Sequence, residues 1–428
     1  MQTVGYGGYR ISVPASWPVY DLAKHPSVCV RFNRHAVYLG TPSATQRCPA
    51  HAAGRTEALL LEPLVGTSAR AGGGPSPQPI TLDGSVTAFT VASSSLRVVA
   101  TWGRDGALVA HLLHRPIRSS RASTMPRAPV ARVRPSRVRG RAAAAVYGGL
   151  GFDTCSAPST GAMSAWSSSP YRAIGIYIGG VNSSCAQPNL TAGWVSTEVG
   201  AGWHLIPTYV GLQGPGACHG TCSTIDPNTA AAEGAAAAND AVAQAQALGI
   251  PAGNPIYYDM EQYSRPSGTS SVLAFLSAWT SQLHADGYTS GVYSSASSGI
   301  TDLVNSVGTS VAEPDDIWIA DWNGQQTTSD SYVPAGDWSN HQRIHQYQGG
   351  HYETYAGVTL DIDNDYLDGA TANTSTGGGS ALHSAVVLIP GGSGAGYSLD
   401  GFGGVHPFGG APAVRASASW PGWDIARA

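Results

Sequence analysis

The sequence at residues 255–262 is PIYYDMEQ, an apolar and aromatic run that ends in two acidic residues. Such a run is typical of a buried β-strand. Because side chains two positions apart on a strand point to the same side, Asp259 and Glu261 are predicted to project together, with Met260 on the other face. The stretch therefore predicts a strand that carries a carboxylate pair at its C-terminal end.

Seven other strand-like runs flank this one, and most of the intervals hold helix-like segments. Residues 229–248 are Ala-rich and stop at Gly249, and residues 271–286 have apolar side chains at helical spacing and stop at Gly287. Eight strands that alternate with helices over roughly 220 residues match a (β/α)₈ TIM barrel. The runs are Gly149–Cys155, Ala173–Gly179, His204–Gly211, Pro255–Gln262, Ser290–Ser294, Asp316–Trp322, Ile344–Gln348 and Val358–Asp363.

A doubly wound open sheet is the alternative for this alternation. That fold normally has a Gly-rich phosphate-binding loop after its first strand. Residues 151–155, GFDTC, are not such a loop. The expected fold class is therefore α/β, with a TIM barrel as its main domain.

Composition shifts divide the chain into five parts. The N-terminal part has short β-type runs at Tyr9–Val13, Val28–Phe32, Ala36–Leu39 and Leu96–Trp102, which predict a small β-rich or α+β module without a catalytic constellation. Nine arginines between residues 115 and 141 lie among Pro, Ala and Ser, as in a solvated linker. The predicted divisions are 1–112 for the module, 113–146 for the Arg/Pro-rich linker, 147–369 for the barrel, 370–384 for a Gly/Ser/Thr linker and 385–428 for a Gly- and aromatic-rich accessory segment.

Charge and hydropathy exclude several classes of function. A net charge of −4 argues against nucleic-acid binding. No apolar run is long enough for a transmembrane helix, and the opening MQTVGYGGYR lacks the features of a secretion signal. A monomer without a cofactor is expected.

The six cysteines predict disulfides. None lies in a CxxC pair, and the CHGTC stretch at 218–222 has no second ligand cluster for zinc, so no metal site is predicted. The four barrel cysteines allow three connectivities. We predict Cys29–Cys48, Cys155–Cys185 and Cys218–Cys222. Disulfides indicate a secreted or wall-associated protein, although no signal is visible.

Acidic residues concentrate at the predicted strand ends, where the βα loops of a TIM barrel form the active site. Neighbouring carboxylates raise each other's pKa, and a glycosidase needs one protonated carboxyl to protonate the leaving oxygen. One Asp at a strand end can instead cap a helix, and the run from Asp361 to Asp365 could bind a cation. The residues are Asp153 on strand 1, Asp259 and Glu261 on strand 4, Asp321 on strand 6, and Asp361 and Asp363 on strand 8.

Aromatic and amide side chains at the same ends are predicted to bind sugar. Aromatic rings stack on sugar rings, and amides hydrogen-bond to hydroxyl or acetamido groups. Together with Asp321 and Asp363, the predicted substrate-binding residues are Tyr177, Tyr209, Tyr258, Trp322, Gln346 and Gln348.

Several strand motifs in order resemble the actinobacterial glycoside-hydrolase-like domain first catalogued as a domain of unknown function. They are GFDTC at 151–155, YIGG at 177–180, WHLIPTYVG at 203–211, YDME at 258–261 and LDID at 360–363. That family is distantly similar to the Chalaropsis-type muramidases, which cleave peptidoglycan. The resemblance implies that Glu261 is the general acid, that Asp259 stabilises the positive centre or steers the acetamido group, and that Asp153 and Asp361 support them.

The leading hypothesis is a secreted glycoside hydrolase that acts on a peptidoglycan-like glycan. A catalytically silent barrel that binds glycan or cell wall is the second hypothesis. A metal-dependent deacetylase is the third, but the histidines of the barrel lack the spacing of a metal cluster.

Overall fold

The computed structural model describes residues 1–64, 80–81, 86–103, 105–114, 117–118, 144–374, 385–388, 396–399 and 405–408. It contains two compact units, Met1–Thr374 and Ser375–Ala428. Most of the predicted linkers at 113–146 and 370–384, and most of the accessory segment at 385–428, lie outside the described residues.

The N-terminal module is a five-stranded mixed sheet with a separate hairpin and one helix. The predicted run Val28–Phe32 is not a strand: it makes isolated bridges, one of them from Arg31 to Cys185 of the barrel. The sheet order is β3-β4-β5-β8-β7, β1 pairs with β2, and β6 pairs with β9. The elements are β1 (Gln2–Tyr6), β2 (Tyr9–Val13), β3 (Val19–Asp21), β4 (Ala36–Leu39), β5 (Ala58–Pro63), β6 (Ile80–Thr81), β7 (Val86–Val91), β8 (Leu96–Thr101), α1 (Gly106–Leu112) and β9 (Ile117–Arg118).

The main domain is a closed barrel of eight strands, in the order of the chain. The first seven strands are parallel, but β17 is antiparallel to both of its neighbours, β16 and β10. We call the end at which the seven parallel strands terminate the barrel mouth. The strands are β10 (Ala145–Asp153), β11 (Ala173–Gly179), β12 (His204–Tyr209), β13 (Pro255–Met260), β14 (Thr289–Ser295), β15 (Asp316–Ala320), β16 (Arg343–Tyr355) and β17 (Val358–Thr371).

The predicted regular (β/α)₈ alternation is wrong in its last third. No helix is formed in residues 321–342, between β15 and β16. Only Ala356 and Gly357 join β16 to β17, both with positive φ, which makes a tight hairpin. A parallel pair would need a crossover of a dozen or more residues, so this connection forces the last strand to reverse. The barrel helices are α2 (Thr160–Trp166), α3 (Ala192–Gly200), α4 (Ala230–Ala247), α5 (Thr269–Ala285) and α6 (Thr301–Ser306).

Helices α4 and α5 pack closely because α4 has small residues on its buried face. Ala238, Ala241 and Ala245 are fully buried there. A Cβ added at Gly234 would lie 2.2 Å from the carbonyl oxygen of Phe275 on α5. The α4 sequence therefore sets how near the two helix backbones can come.

We expect Gly234→Ala to destabilise the protein by about 1–3 kcal/mol, because the added methyl group overpacks this contact. The free energy of unfolding in urea measures the effect. Gly200→Ala is the matched control: Gly200 also lies on a helix, but a Cβ there meets no atom within 4 Å. Equal stability of the two variants would contradict the close approach.

Three disulfides are formed, with the predicted pairings Cys29–Cys48, Cys155–Cys185 and Cys218–Cys222. The first two bonds pack against each other, with 3.9 Å between the sulfurs of Cys29 and Cys185. This contact joins the N-terminal module to the barrel.

The second unit contains a three-stranded antiparallel sheet of β18 (Ala385–Leu388), β19 (Gly396–Leu399) and β20 (Val405–Phe408). Over the described part of the chain, no helix combines the length and apolar character needed to cross a membrane.

Candidate active site

Three carboxylates reach the barrel mouth from parallel strands. Asp153 is the last residue of β10, Asp259 lies on β13, and Glu261 follows β13 directly. Asp153 and Asp259 are buried, whereas the Glu261 side chain is 22 % exposed. Because alternate side chains of a strand point to the same side, buried Asp259 and accessible Glu261 both project into the barrel mouth.

The reversed β17 brings two more carboxylates to the same place. Asp363 lies opposite Asp153 in the strand register, and Asp365 lies opposite Gly151. Both side chains are buried, and Trp318 donates a hydrogen bond to Asp365 at 2.8 Å. Asp361 belongs to the same face but lies further along the hairpin, opposite Tyr352. The acid beside Asp153 is therefore Asp363 rather than Asp361.

Gln346 of β16 connects these acids. Its amide nitrogen donates to Asp153 at 2.9 Å and to Asp363 at 3.4 Å. Its amide oxygen accepts from Tyr293 at 3.0 Å and from the Trp322 indole at 2.9 Å. The predicted residues Gln346 and Trp322 thus meet in one network, and Tyr293 joins it without having been predicted.

A residue from outside the barrel completes the cluster. His51 of the N-terminal module forms an ion pair and hydrogen bond from Nε2 to the Glu261 carboxylate. Its Nδ1 lies 3.0 Å from the Tyr177 hydroxyl, which donates its own proton to Asp153 at 2.9 Å. Because that hydroxyl has one proton to give, Nδ1–H is the donor to Tyr177. No sequence motif marks His51, and it is not among the predicted site residues.

The protonation of the site follows from burial and from His51. Burial raises the pKa of Asp153, Asp259 and Asp365, and raises that of Asp363 to about 8. Burial also acts to raise the pKa of Glu261, but the charge and hydrogen bond of His51 outweigh it and lower that pKa.

The imidazole responds in the opposite direction. Burial acts to lower the pKa of His51, but the charge and hydrogen bond of Glu261, with smaller contributions from Asp259 and Asp363, outweigh it and raise that pKa well above its ordinary value. At neutral pH the free protein therefore has an imidazolium at His51 and a carboxylate at Glu261.

The main chain around the carboxylate pair is held by Gln213. Its amide nitrogen donates to the Asp259 carbonyl at 2.7 Å, and its amide oxygen accepts from the Glu261 backbone N–H at 2.7 Å. Within the described residues, neither carboxylate oxygen of Asp259 has a hydrogen-bond partner. A buried acceptor of this kind is available to a polar group of a ligand.

Two predicted substrate-binding tyrosines do not face the mouth. Tyr258 packs against Phe275 and Trp279 of α5, and its hydroxyl donates to the Leu212 carbonyl. Tyr209 also packs on Trp279 and donates to Asp240 of α4 at 2.6 Å. Strand alternation explains the correction for Tyr258: because Asp259 points inward, its neighbour points toward the helices.

The remaining predicted residues lie at the rim. Asp321 accepts a hydrogen bond from Asn323 at 3.0 Å, within the loop after β15, and is not part of the carboxylate cluster. Trp322 is 64 % exposed, and its ring covers Gly349. Gln348 is exposed, opposite Asn364 on the hairpin.

Apart from Cys29, Cys48 and Cys185, which are disulfide-bonded, two clusters of side chains in the described residues have donor atoms close enough to hold a metal ion, and both include His51. One consists of His51, Asp153 and Asp363, and the other of His51, Asp259 and Glu261. In each group the possible ligand atoms lie within 4.8 Å of one another. The spacing of barrel histidines could not reveal either group, because the imidazole comes from the other module.

Comparisons with solved structures find low identity. An uncharacterised protein of B. stearothermophilus is 18 % identical, with a TM-score of 0.36, over 51 % of this chain and 96 % of that chain. The Tat-secreted protein Rv2525c of Mycobacterium tuberculosis is 15 % identical, with a TM-score of 0.38, over 53 % of this chain and 99 % of that chain. The spore cortex lytic enzyme SleM of Clostridium perfringens is 12 % identical, with a TM-score of 0.34, over 60 % of this chain and 77 % of that chain.

No curated protein matches the chain. A family model does: residues 164–367 match the Rv2525c-like, glycoside hydrolase-like domain. These residues run from α2 to the last part of β17 and include Glu261, Asp259 and Asp363. The barrel from α2 to β17 is therefore similar to the Rv2525c-like, glycoside hydrolase-like domain.

Proposed function

We propose that the barrel hydrolyses a glycosidic bond in a cell-wall glycan of the peptidoglycan type. The observation that carries the proposal is the pair of Asp259 and Glu261 at the mouth of a glycoside hydrolase-like barrel. One acid of the pair is accessible and the other is buried with a raised pKa. Glycoside hydrolysis needs two carboxyl groups in different protonation states at one bond.

In this proposal Glu261 delivers a proton to the leaving oxygen. The bond from the anomeric carbon to that oxygen breaks, its electron pair stays on the oxygen, and a water molecule later adds to the carbon and returns a proton to the site. Oxygens of Asp259 and Glu261 lie within 4.8 Å of each other.

The other residues are given supporting roles. Asp259, whose carboxyl oxygens have no partner in the described residues, would receive the N–H of an acetamido group. Asp153 is held by Tyr177 and Gln346, and Asp363 lies beside it. The supporting role that the resemblance implied for Asp361 therefore fits Asp363 better.

We propose that Trp322 stacks on a sugar ring at the rim of the site. Trp322→Ala is expected to weaken glycan binding by about 0.5–1.5 kcal/mol, or roughly 2- to 12-fold in Kd. Binding to soluble glycan fragments, measured by calorimetry, tests this. Tyr332→Ala is the control, since Tyr332 is the other exposed aromatic residue between β15 and β16. Equal affinity of the Trp322→Ala variant and the wild type would contradict the stacking role.

A location outside the cytoplasm is part of the proposal. Three disulfides, with no free cysteine among the described residues, are typical of proteins that fold in an oxidising compartment.

The test is digestion of purified peptidoglycan by the full-length protein. New reducing ends and shortened glycan strands are expected, and chitin oligosaccharides show whether a muramyl sugar is required. Absence of turnover on both glycans would refute hydrolysis.

A silent glycan-binding barrel is the second candidate, and one observation favours it. His51 lowers the pKa of Glu261, which leaves the proposed acid ionised in the free protein. This candidate predicts that the protein sediments with peptidoglycan and releases no reducing ends.

A further inference from the structure

We propose that His51 of the N-terminal module is a positioning residue of the active site, which holds the proton that Glu261 delivers to the leaving oxygen. This inference rests on the proposed glycan hydrolysis. It makes the catalytic centre a product of two modules, because the barrel alone lacks this imidazole. Three sets of contacts carry it.

First, the loop that bears His51 is fixed to the barrel on both sides of the residue. Before it, the Pro49 carbonyl accepts from the Cys155 backbone N–H at 3.3 Å. After it, the Gly54 N–H donates to the Asn182 carbonyl at 2.9 Å. Main-chain bonds to two different barrel loops hold this segment against the mouth on both sides of His51.

Arg55 adds a further anchor to the same loop. Its guanidinium donates to the Ser183 carbonyl at 2.9 Å and to the Gly180 carbonyl at 3.2 Å. Residue 48, before the loop, is also tied by its disulfide to Cys29, which packs on the barrel disulfide. The imidazole position is therefore set by contacts that do not depend on Glu261.

Second, both ring nitrogens are engaged by the site. Nε2 pairs with Glu261, and Nδ1 donates to Tyr177, which in turn donates to Asp153. The hydrogen bond at Nδ1 fixes the ring orientation and directs the other N–H at Glu261. A continuous chain of hydrogen bonds thus runs from the accessible acid to the buried one.

Third, the groups around the imidazole favour its charged form. Five titratable side chains face it in the described residues, from β10, β11, the end of β13 and β17, and four of the five are carboxyls. They are Asp153, Tyr177, Asp259, Glu261 and Asp363. The ring can therefore keep a proton at a pH at which Glu261 alone would have lost its own.

The proton balance of the step is simple. In the resting state one proton lies between Nε2 of His51 and the Glu261 carboxylate. When the glycosidic bond breaks, Glu261 passes this proton to the leaving oxygen and His51 is left neutral. The incoming water loses one proton to the pair, which restores the imidazolium and the carboxylate.

The first test is the pH dependence of peptidoglycan cleavage by His51→Gln. In the wild type, the proton shared by His51 and Glu261 is lost only when the pH exceeds the pKa of His51. In the variant, Glu261 alone holds the proton and loses it at its own, lower pKa. The alkaline limb of kcat/KM is expected to move to lower pH by about one unit or more.

The direction of this shift shows whether His51 holds the delivered proton or whether Glu261 acts without it. If Glu261 acted alone, removal of a neighbouring positive charge would raise its pKa and move the limb to higher pH. A limb that is unchanged or moves upward overturns the proposal. His341→Gln, which removes an exposed histidine paired with Asp368 at 2.6 Å, is the matched control and is expected to leave the profile unchanged.

The second test needs no glycan. In protein with labelled histidines, NMR titration is expected to place the His51 midpoint above its ordinary value and to lower it in Glu261→Gln. A midpoint near 6.5 in both proteins overturns the proposal. The His51 midpoint could depend on Glu261 in a protein that cleaves no glycan. That result would reject both the proposed hydrolysis and the proton delivery, and His51 and Glu261 would then form only a structural ion pair.

Discussion

Glu261→Gln is expected to reduce peptidoglycan cleavage by roughly 10²–10⁴-fold, the usual contribution of a general acid. Glutamine keeps the shape of the side chain and can still accept a hydrogen bond from His51, but it has no proton to pass to the leaving oxygen. The rate of reducing-end release measures the effect. Glycan binding is expected to change little, because the rim residues that we propose contact sugar remain.

Glu313→Gln is the matched control for this substitution. Glu313 is exposed and accepts a hydrogen bond from the Gly308 N–H far along the chain from the carboxylate cluster. Wild-type turnover is expected in the control. A Glu261→Gln variant that kept more than about a tenth of the activity would show that another group supplies the proton.

Asp363→Asn is expected to stabilise the protein while it impairs the site. Burial raises the pKa of Asp363 to about 8, so the folded state binds a proton that the unfolded chain releases near its ordinary pKa. The stability of the wild type therefore falls as pH rises from about 4 to about 8. Asparagine has no proton to lose, so it removes this loss of stability at high pH, and its side-chain oxygen can still accept a hydrogen bond from Gln346.

The gain is expected to be close to zero at pH 4 and on the order of 5 kcal/mol at pH 8. Urea unfolding at both pH values measures it. Asp361→Asn is the control, because Asp361 is only half-buried on the hairpin. A gain that was equal at pH 4 and pH 8 would contradict the proton linkage.

The barrel strands could be predicted from the sequence because each is a short apolar run between helix or turn signals. The direction of β17 was missed, although a signal was present. Only nine residues separate the predicted runs that end at Gln348 and begin at Val358, too few for a crossover helix. Counting this interval would have indicated a hairpin.

The site was predictable where one strand carries both members of a pair, as for Asp259 and Glu261. The same period of two, applied to Tyr258, would have placed that ring among the helices. His51 is different in kind: 210 positions separate it from Glu261, and the contact depends on how one module packs on another. Neither local periodicity nor spacing contains that information.

The reversed last strand has a consequence for how this barrel can be rearranged. Ala145, where β10 begins, lies opposite Thr371, where β17 ends, so the chain enters and leaves the barrel side by side, at the end opposite the mouth. A circular permutant that joins these two positions and opens a connection elsewhere would keep every strand neighbour. The carboxylates of the barrel thus lie at the opposite end from the two points at which the barrel joins the rest of the chain, whereas His51 reaches them from the preceding module.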